Sequence, residues 1–466
     1  DPYHILGGIV TIRIFALVVI MLFSCHDAID TASAGQSTDD AQFTMALTGD
    51  SIITRRLSVY QEPAFLDMIK LIRKADVAFT NLEMLFHDYE PFPMNSSGGT
   101  YMRAAPALLD ELVWAGFDMV SRANNHTGDY GHLGMELTTK YVAEVGLLQA
   151  GVGNSLAEAR EAKFLETAKG RVALISVAST FPDHSRAGKT RGDISPRPGL
   201  NPLRFSTNYV VTREHFEELR AILKNLNLSV PDSGDNLQFL GNQFIVGDTP
   251  SIRTEPNDED LHEIASVVSN ANRLADYTVV TIHAHEGAGN RFVPAEFLVN
   301  FARAMIDAGA DIFVGHGPHV VRGVEMYQGK PILYSLANFI FQNETLERLP
   351  SENYEAYDLG PDAHIADFND RRYNNDTQGF PAQREIWESV IAVTNWDMDE
   401  LVSLTLHPIT LGFGNSRTVR GRPMLASSDL GRKIIDDIRR LSEPFGTTVV
   451  FEDGVGQVMI NDSDNQ

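Results

Sequence analysis

Ile312-Phe-Val-Gly-His-Gly-Pro-His319 starts as a short apolar run and stops at a turn carrying two imidazoles. Other apolar runs stop at polar residues in the same way: 43–47 before Gly49-Asp50, 77–80 before Asn81, 117–120 before Asn124, and 278–282 before His283. A further run at 172–177 has the same character. Short runs with β-branched residues, alternating with helical stretches at 62–74 and 294–308, predict buried strands in an α/β layered fold. The polar residues then fall at strand ends, beyond which such sheets bind ligands. Gly317 and Pro318 force the turn that lets His316 and His319 point at one ion. For such a pair taken alone, two surface histidines in a loop is an equally common arrangement.

Other segments supply compatible donors. In Asn124-Asn125-His126 an amide oxygen suits a hard metal while the adjacent imidazole reaches substrate. Alone, an Asn-His pair is more often a turn with a capping Asn. Alternation along a strand puts His283 and His285 on one face. One of them binds metal while the other orients it or contacts substrate, or either fills a core. His283, nearer the strand end, is the favoured ligand. Asp50 and Glu83 add carboxylates, with Glu83 suited to bridging two ions; singly, each has a turn or helix cap as its commoner role. Together the pieces sit at the strand ends of one pattern. Carboxylate, amide and imidazole donors suit one or two divalent ions of Mn, Fe or Zn rather than a sulfur site.

With 43% hydrophobic and 21% charged residues, the 466-residue chain has the composition of a globular protein. Its net charge of -24 and the lack of a basic stripe argue against nucleic acid or an anionic membrane surface as main partner. An anionic substrate needs bound metal or a local Arg and His cluster. Residues 1–25 read as a signal peptide, with the apolar run Ile14-Phe-Ala-Leu-Val-Val-Ile-Met-Leu-Phe23 after Arg13. Leu22-Phe-Ser-Cys25 resembles a lipobox, which predicts a membrane-attached lipoprotein outside the cytoplasm. A free cysteine in a discarded, secreted-type leader and a longer uncleaved anchor are the other readings. Cys25 is the single cysteine, so no disulfide or thiolate site is available.

Residues 26–42 read as a flexible tether and 43–345 as the core. Within the core, 181–276 breaks the rhythm and predicts an insertion covering the site, with one amphipathic helix near 213–226. Residues 346–466 complete the core: strand-like 389–394 and 401–408 around a turn, a helix at 429–442, then strand-like 447–452 and 457–460. A Ser-His-Asp hydrolase is a poor reading, because no Gly-x-Ser-x-Gly elbow occurs.

In this order, Gly49-Asp50 with Arg55, Asn81-Leu-Glu83, Ala123-Asn-Asn-His126 with Asp129-Tyr-Gly131, His283 and Gly315-His-Gly-Pro-His319 resemble the CapA (poly-γ-glutamate capsule synthesis) family. Lys330-Pro-Ile-Leu-Tyr-Ser-Leu-Ala-Asn-Phe-Ile-Phe341 is similar to its tail signature, with Ala337 where Gly is usual. The family resembles calcineurin-like metallophosphatases, which implies a four-layer α/β/β/α sandwich. It also implies one ion on Asp50, Glu83 and His319 and another on Glu83, Asn125, His283 and His316. His126 becomes the acid or phosphate contact, with Arg55 and His285 as further catalytic candidates. Ile52 stands where the metallophosphatase pattern has a histidine, so the first ion lacks a ligand. The implied function is an extracytoplasmic metal-dependent hydrolase, phosphoesterase-like and associated with capsule or poly-γ-glutamate biosynthesis. Its implied partners are a phosphoester or anionic polymer, the membrane through the N-terminal anchor, and capsule synthesis machinery. The alternative is a non-catalytic lipoprotein that binds an anionic polymer and assists its export.

Overall fold

The strand Phe43–Ile52 is buried at every residue but Thr44, as a strand covered on both faces must be. The computed structural model describes residues 42–230 and 234–460; the expected signal peptide, Cys25 and tether residues 26–41 lie outside them. Phe43–Ile52 sits inside a ten-stranded sheet. On one side parallel pairing runs through Val77–Leu82 and Met119–Ser121 to Leu148–Ala150. On the other, antiparallel pairing runs through Glu388–Asp397 and Glu400–Thr410 to Val455–Val458 and Val449–Glu452. Asn338–Phe341 joins in parallel at the end of the first strand, from Asp50 onward. A six-stranded sheet is ordered Val324–Tyr327, Lys330–Leu333, Ile312–His316, Tyr277–His283, Arg171–Ala178, Lys163–Glu166.

The two sheets stack on a shared core of Met45, Leu47, Phe79, Leu174, Val279 and Val314. The alternate side chains face outward into helix layers. Ala46 and Ala78 meet Phe65, Met68, Ile69 and Ile72 of helix Pro63–Lys74. That helix starts with Pro at its first turn, ends on Arg73 and Lys74, and buries one face at helical spacing. Ile175, Val280 and Phe313 meet Ile264 and Val268 of Asp258–Asn272 and Phe297, Phe301 and Met305 of Glu296–Asp307. The architecture is therefore a four-layer α/β/β/α sandwich. Helix Ser428–Ser442 adds Ile434, Ile435 and Ile438 to the core between the sheets.

Two boundaries differ from expectation. The segment 181–276 is not one insertion: a small sheet of Asn236–Phe239, Asn242–Val246, Phe205–Val211 and Ser251–Pro256 with helix Arg213–Asn225 docks on core helix Glu296–Asp307, where Phe205 stacks on Phe297. Asp258–Asn272 is instead a core helix, linking two neighbouring parallel strands, with Asn257 capping it through Asp260 N. Residues 388–458 complete the sandwich, whereas 343–387 form short helices and 3₁₀ turns beside the strand ends.

Candidate metal centre

Strand register gathers the polar ends. Asp50 lies opposite Asn81 and Asn338, Asn81 opposite Ser121, and in the second sheet His283 opposite His316. Asp50 is fully buried; its Oδ1 accepts from Asn81 Nδ2 at 2.8 Å and its Oδ2 from Gly317 N at 3.0 Å. Gly49 is obligatory here, because a Cβ would meet Ala337 O at 1.8 Å. Asp50 N donates to that same carbonyl at 2.9 Å. Ala337 holds φ 57°, the left-handed region that costs a non-glycine residue about 1–2 kcal/mol. This is the physical reason a glycine suits the position.

Two donor groups result: Asp50, His283 and His316, and Glu83, His285 and His319. His283 Nδ1 lies 3.1 Å from His316 Nδ1 and 3.6 Å from Asp50 Oδ1. Its Nε2 lies 2.9 Å from His285 Nε2 and 3.6 Å from Glu83 Oε1, so the ring stands between the groups. Outer partners orient two of the imidazoles. Thr281 Oγ1 takes His316 Nε2 at 2.6 Å, leaving Nδ1 toward Asp50. Asn338 Nδ2 donates to Ile386 O, so its Oδ1 accepts from His319 Nδ1 at 2.8 Å and leaves Nε2 toward Glu83.

Burial drives the electrostatics. It pushes the His316 imidazole down to about 3, against the opposing pull of Asp50. His283 and His285 fall well below the usual range through burial and then neighbouring imidazoles, and burial also lowers His319. Neutral imidazole is the ligating form. Glu83 is pushed well above the ordinary carboxylate range, first by burial and then by Asp50 and Asp129. Both Glu83 oxygens and Asn125 Oδ1 are buried without a hydrogen-bond partner among the described residues. Buried oxygens are rarely left so, and a cation is the partner that satisfies acceptor-only atoms beside neutral imidazoles. The residues fit a divalent ion.

Beside the donors lies a cavity of about 330 Å³ lined by Asn125, His126, His285, Arg291, His319 and Arg372. Ile52, Phe341 and Phe380 give it an apolar wall. His126 Nδ1 meets Asp129 Oδ2 at 2.7 Å, and its Nε2 is 3.9 Å from Glu83 Oε1. Asp129 also accepts from Gly98 N and Met102 N, at 3.0 and 2.8 Å. Asn125 Nδ2 donates to Gly98 O at 2.9 Å, which aims Oδ1 away from that loop.

The five expected His and carboxylate ligands thus meet, with Asn125, His126 and His285 alongside. Their grouping differs: Asp50 pairs with His283 and His316 rather than with Glu83, and His285 enters the Glu83 group. The strand ends at His283, so residue 285 is already in a loop, and this loop turns its ring back onto His283 Nε2. Arg55 is corrected. Its guanidinium donates to the carbonyls of Thr418 and Arg420 and is not part of the cavity lining. No described residue of 181–276 lines the cavity either; Gly98, Gly99, Thr100, Met102, Asn343, Arg372 and Phe380 do. Sequence reasoning missed Arg291, Asn343, Arg372 and Phe380, which stand in turns and short helices with no pattern to mark them.

A four-layer α/β/β/α sandwich with a buried His and carboxylate cluster at its strand ends defines the metallophosphatase-like class. Within it, the chain belongs to the family described as bacterial capsule synthesis protein PGA_cap, which matches residues 37–343. It is similar to uncharacterized protein y4sH of Sinorhizobium fredii (strain NBRC 101917 / NGR234), 38% identical over 436 residues, 90% of this chain and 93% of that one. It is also similar to capsule biosynthesis protein CapA of Bacillus anthracis, 23% identical over 65% of this chain and 61% of that one. PGA biosynthesis protein CapA of Bacillus subtilis (strain 168) is 29% identical over 48% of this chain and 43% of that one. The family ties the chain to capsule or polyglutamate synthesis.

Proposed function

We propose that the protein is a metal-dependent hydrolase of phosphoesterase type that acts outside the cytoplasm in capsule or poly-γ-glutamate production. The observation that carries this reading is the convergence of two neutral-imidazole and carboxylate groups with the unpartnered oxygens of Glu83 and Asn125. The N-terminal apolar run and Cys25 support the location and attachment as a lipoprotein. Asp50, His283 and His316, and Glu83, His285 and His319, would hold the metal, with Asn125 Oδ1 adding a donor. Held there, a Mn, Fe or Zn ion would supply Lewis acidity toward the attacked group and toward water. His126 does the proton work. Asp129 holds its Nδ1, so Nε2 is the atom that gives a proton to the leaving group. Ile52, Phe341 and Phe380 exclude water from one side of the substrate, strengthening each polar contact inside.

Elemental analysis of purified protein, with phosphodiester and γ-glutamyl substrates run on the same sample, tests the reading. Asn125→Ala should lose metal and turnover together. His126→Ala should keep metal and lose rate by about 10² to 10⁴, the scale of a positioned proton donor. A metal-free, inert protein that still binds polyglutamate would replace this reading with that of a polymer-binding export accessory.

A further inference from the structure

The carboxylates outnumber the basic groups by 62 to 38, and the arginines around the cavity mostly have acidic partners. Arg103 pairs with Asp88 and Glu347, Arg417 with Glu344, Asp370 and Asp376, and Arg420 with Glu344 and Asp376. Two half-buried arginines in the cavity lining break this habit. Neither Arg291 nor Arg372 has a carboxylate partner among the described residues. In a protein so rich in acid, leaving both guanidinium groups unpaired beside His126 and His319 keeps two anion-binding forks open.

Both are held in place by their surroundings rather than by a counter-charge. Arg372 ends helix Ile365–Arg372, donates Nη1 to the buried Thr100 hydroxyl, and lies 5.1 Å from the Tyr373 ring centroid. Arg291 is on the loop after the His283 strand. The buried Arg322 donates to the carbonyls of Arg291 at 2.8 Å, Glu286 at 2.8 Å and His285 at 3.2 Å, fixing that loop from below. Asn290 Oδ1 accepts from Phe292 N and Val293 N and tightens the turn. One loop therefore carries a candidate ligand, His285, and a cavity cation, Arg291, on a single support.

We propose that Arg291 and Arg372 select the substrate: they require at least one carboxylate or phosphate group besides the group attacked, so the site takes multiply anionic molecules and rejects neutral analogues. This rests on the cavity being the substrate site of the hydrolase described above. Charged forks contribute discrimination by leaving an unpaired, part-desolvated cation when the anion is missing.

Calorimetric binding to the metal-loaded full chain tests the pair. The probes are tri-γ-glutamate, its counterpart with every free carboxyl group converted to a primary amide, and tripolyphosphate as the phosphate arm. Arg291→Ala and Arg372→Ala should each lower the ratio of anionic to neutral affinity by about 10- to 100-fold and reduce the dependence of binding on salt. Arg291→Lys and Arg372→Lys should recover part of it, which also covers the case of an alanine variant that folds poorly. The probe that loses more identifies carboxylate or phosphate as the preferred anion. A wild-type protein that fails to discriminate, or variants that discriminate as well as it does, would overturn the pair even if hydrolysis is found. Arginine-dependent discrimination without any turnover would uphold the pair and remove the hydrolase.

Discussion

Replacing Glu83 by Gln should have opposite effects on stability depending on metal. In metal-free protein, Glu83 is a fully buried carboxylate whose oxygens lack partners and which faces Asp50. Its folded-state pKa is raised, so between the ordinary value of 4.5 and that raised value the folded state holds the extra proton. Stability therefore falls as pH rises through that window. Removing a poorly compensated buried charge of this kind gains about 1–4 kcal/mol. With roughly 2.1 cal/mol/K of unfolding entropy per residue, a chain of 466 residues shifts its Tm by about 1 °C per kcal/mol. Scanning calorimetry with chelator at pH 7 should then show Glu83→Gln melting about 1–4 °C above wild type. With metal at about 100 times its Kd, wild type should gain about 2.7 kcal/mol, near 3 °C, and the variant should forfeit most of that gain. An equal fall in Tm in both conditions would show that Glu83 is an ordinary structural acceptor and refute the argument.

Glu344→Ala should cost about 3–5 kcal/mol, because it strips Arg420 and Arg417 of a carboxylate at 2.5 to 3.1 Å on a side chain only 4% exposed; denaturant unfolding reads it. Burial holds His87 and His407 at about 4 and His316 at about 3, whereas an unfolded histidine titrates near 6.5. Between those values the unfolded chain binds more protons, so the part of the stability linked to these histidines is fully present above pH 6.5 and is lost as pH falls toward 4. A pH series of melting scans in the Glu83→Gln background, where the opposing slope from Glu83 is gone, checks this, and His407→Gln should flatten part of the decline.

The strand-end residues were legible because parallel strands covered on both faces leave unbroken apolar runs, and Asp50, Asn81, His283 and His316 mark where those runs stop. Alternation between the runs and the helices marked a layered α/β fold, and the resemblance implied its four layers. The division of ligands into groups was not legible. It depends on how the ends of two sheets face one another and on a loop that reverses after His283, neither of which has a local period. Arg55 entered the candidate site through the family resemblance alone, but a guanidinium also satisfies backbone carbonyls such as those of Thr418 and Arg420. Arg372 and Phe380 reach the cavity from beyond the matched span, through short helices whose place is set by Glu344 and Arg420 rather than by periodicity.

The pairing of Phe43–Ile52 with Glu388–Asp397 has a consequence for how the molecule is made. The strand Phe43–Ile52 waits for its antiparallel neighbour until nearly 400 residues of this sequence have been synthesised. Until then the edge along Phe43–Leu47, apolar at every residue but Thr44, stays open, the kind of surface that recruits other chains. Such long-range closure slows folding. A chain ended after residue 345 would retain every candidate ligand, from Asp50 to His319, and both strands opposite Asp50, yet lack the strand that pairs with Phe43–Leu47. Its expected fate is aggregation with no tightly bound metal, measurable by light scattering and elemental analysis of whatever stays in solution.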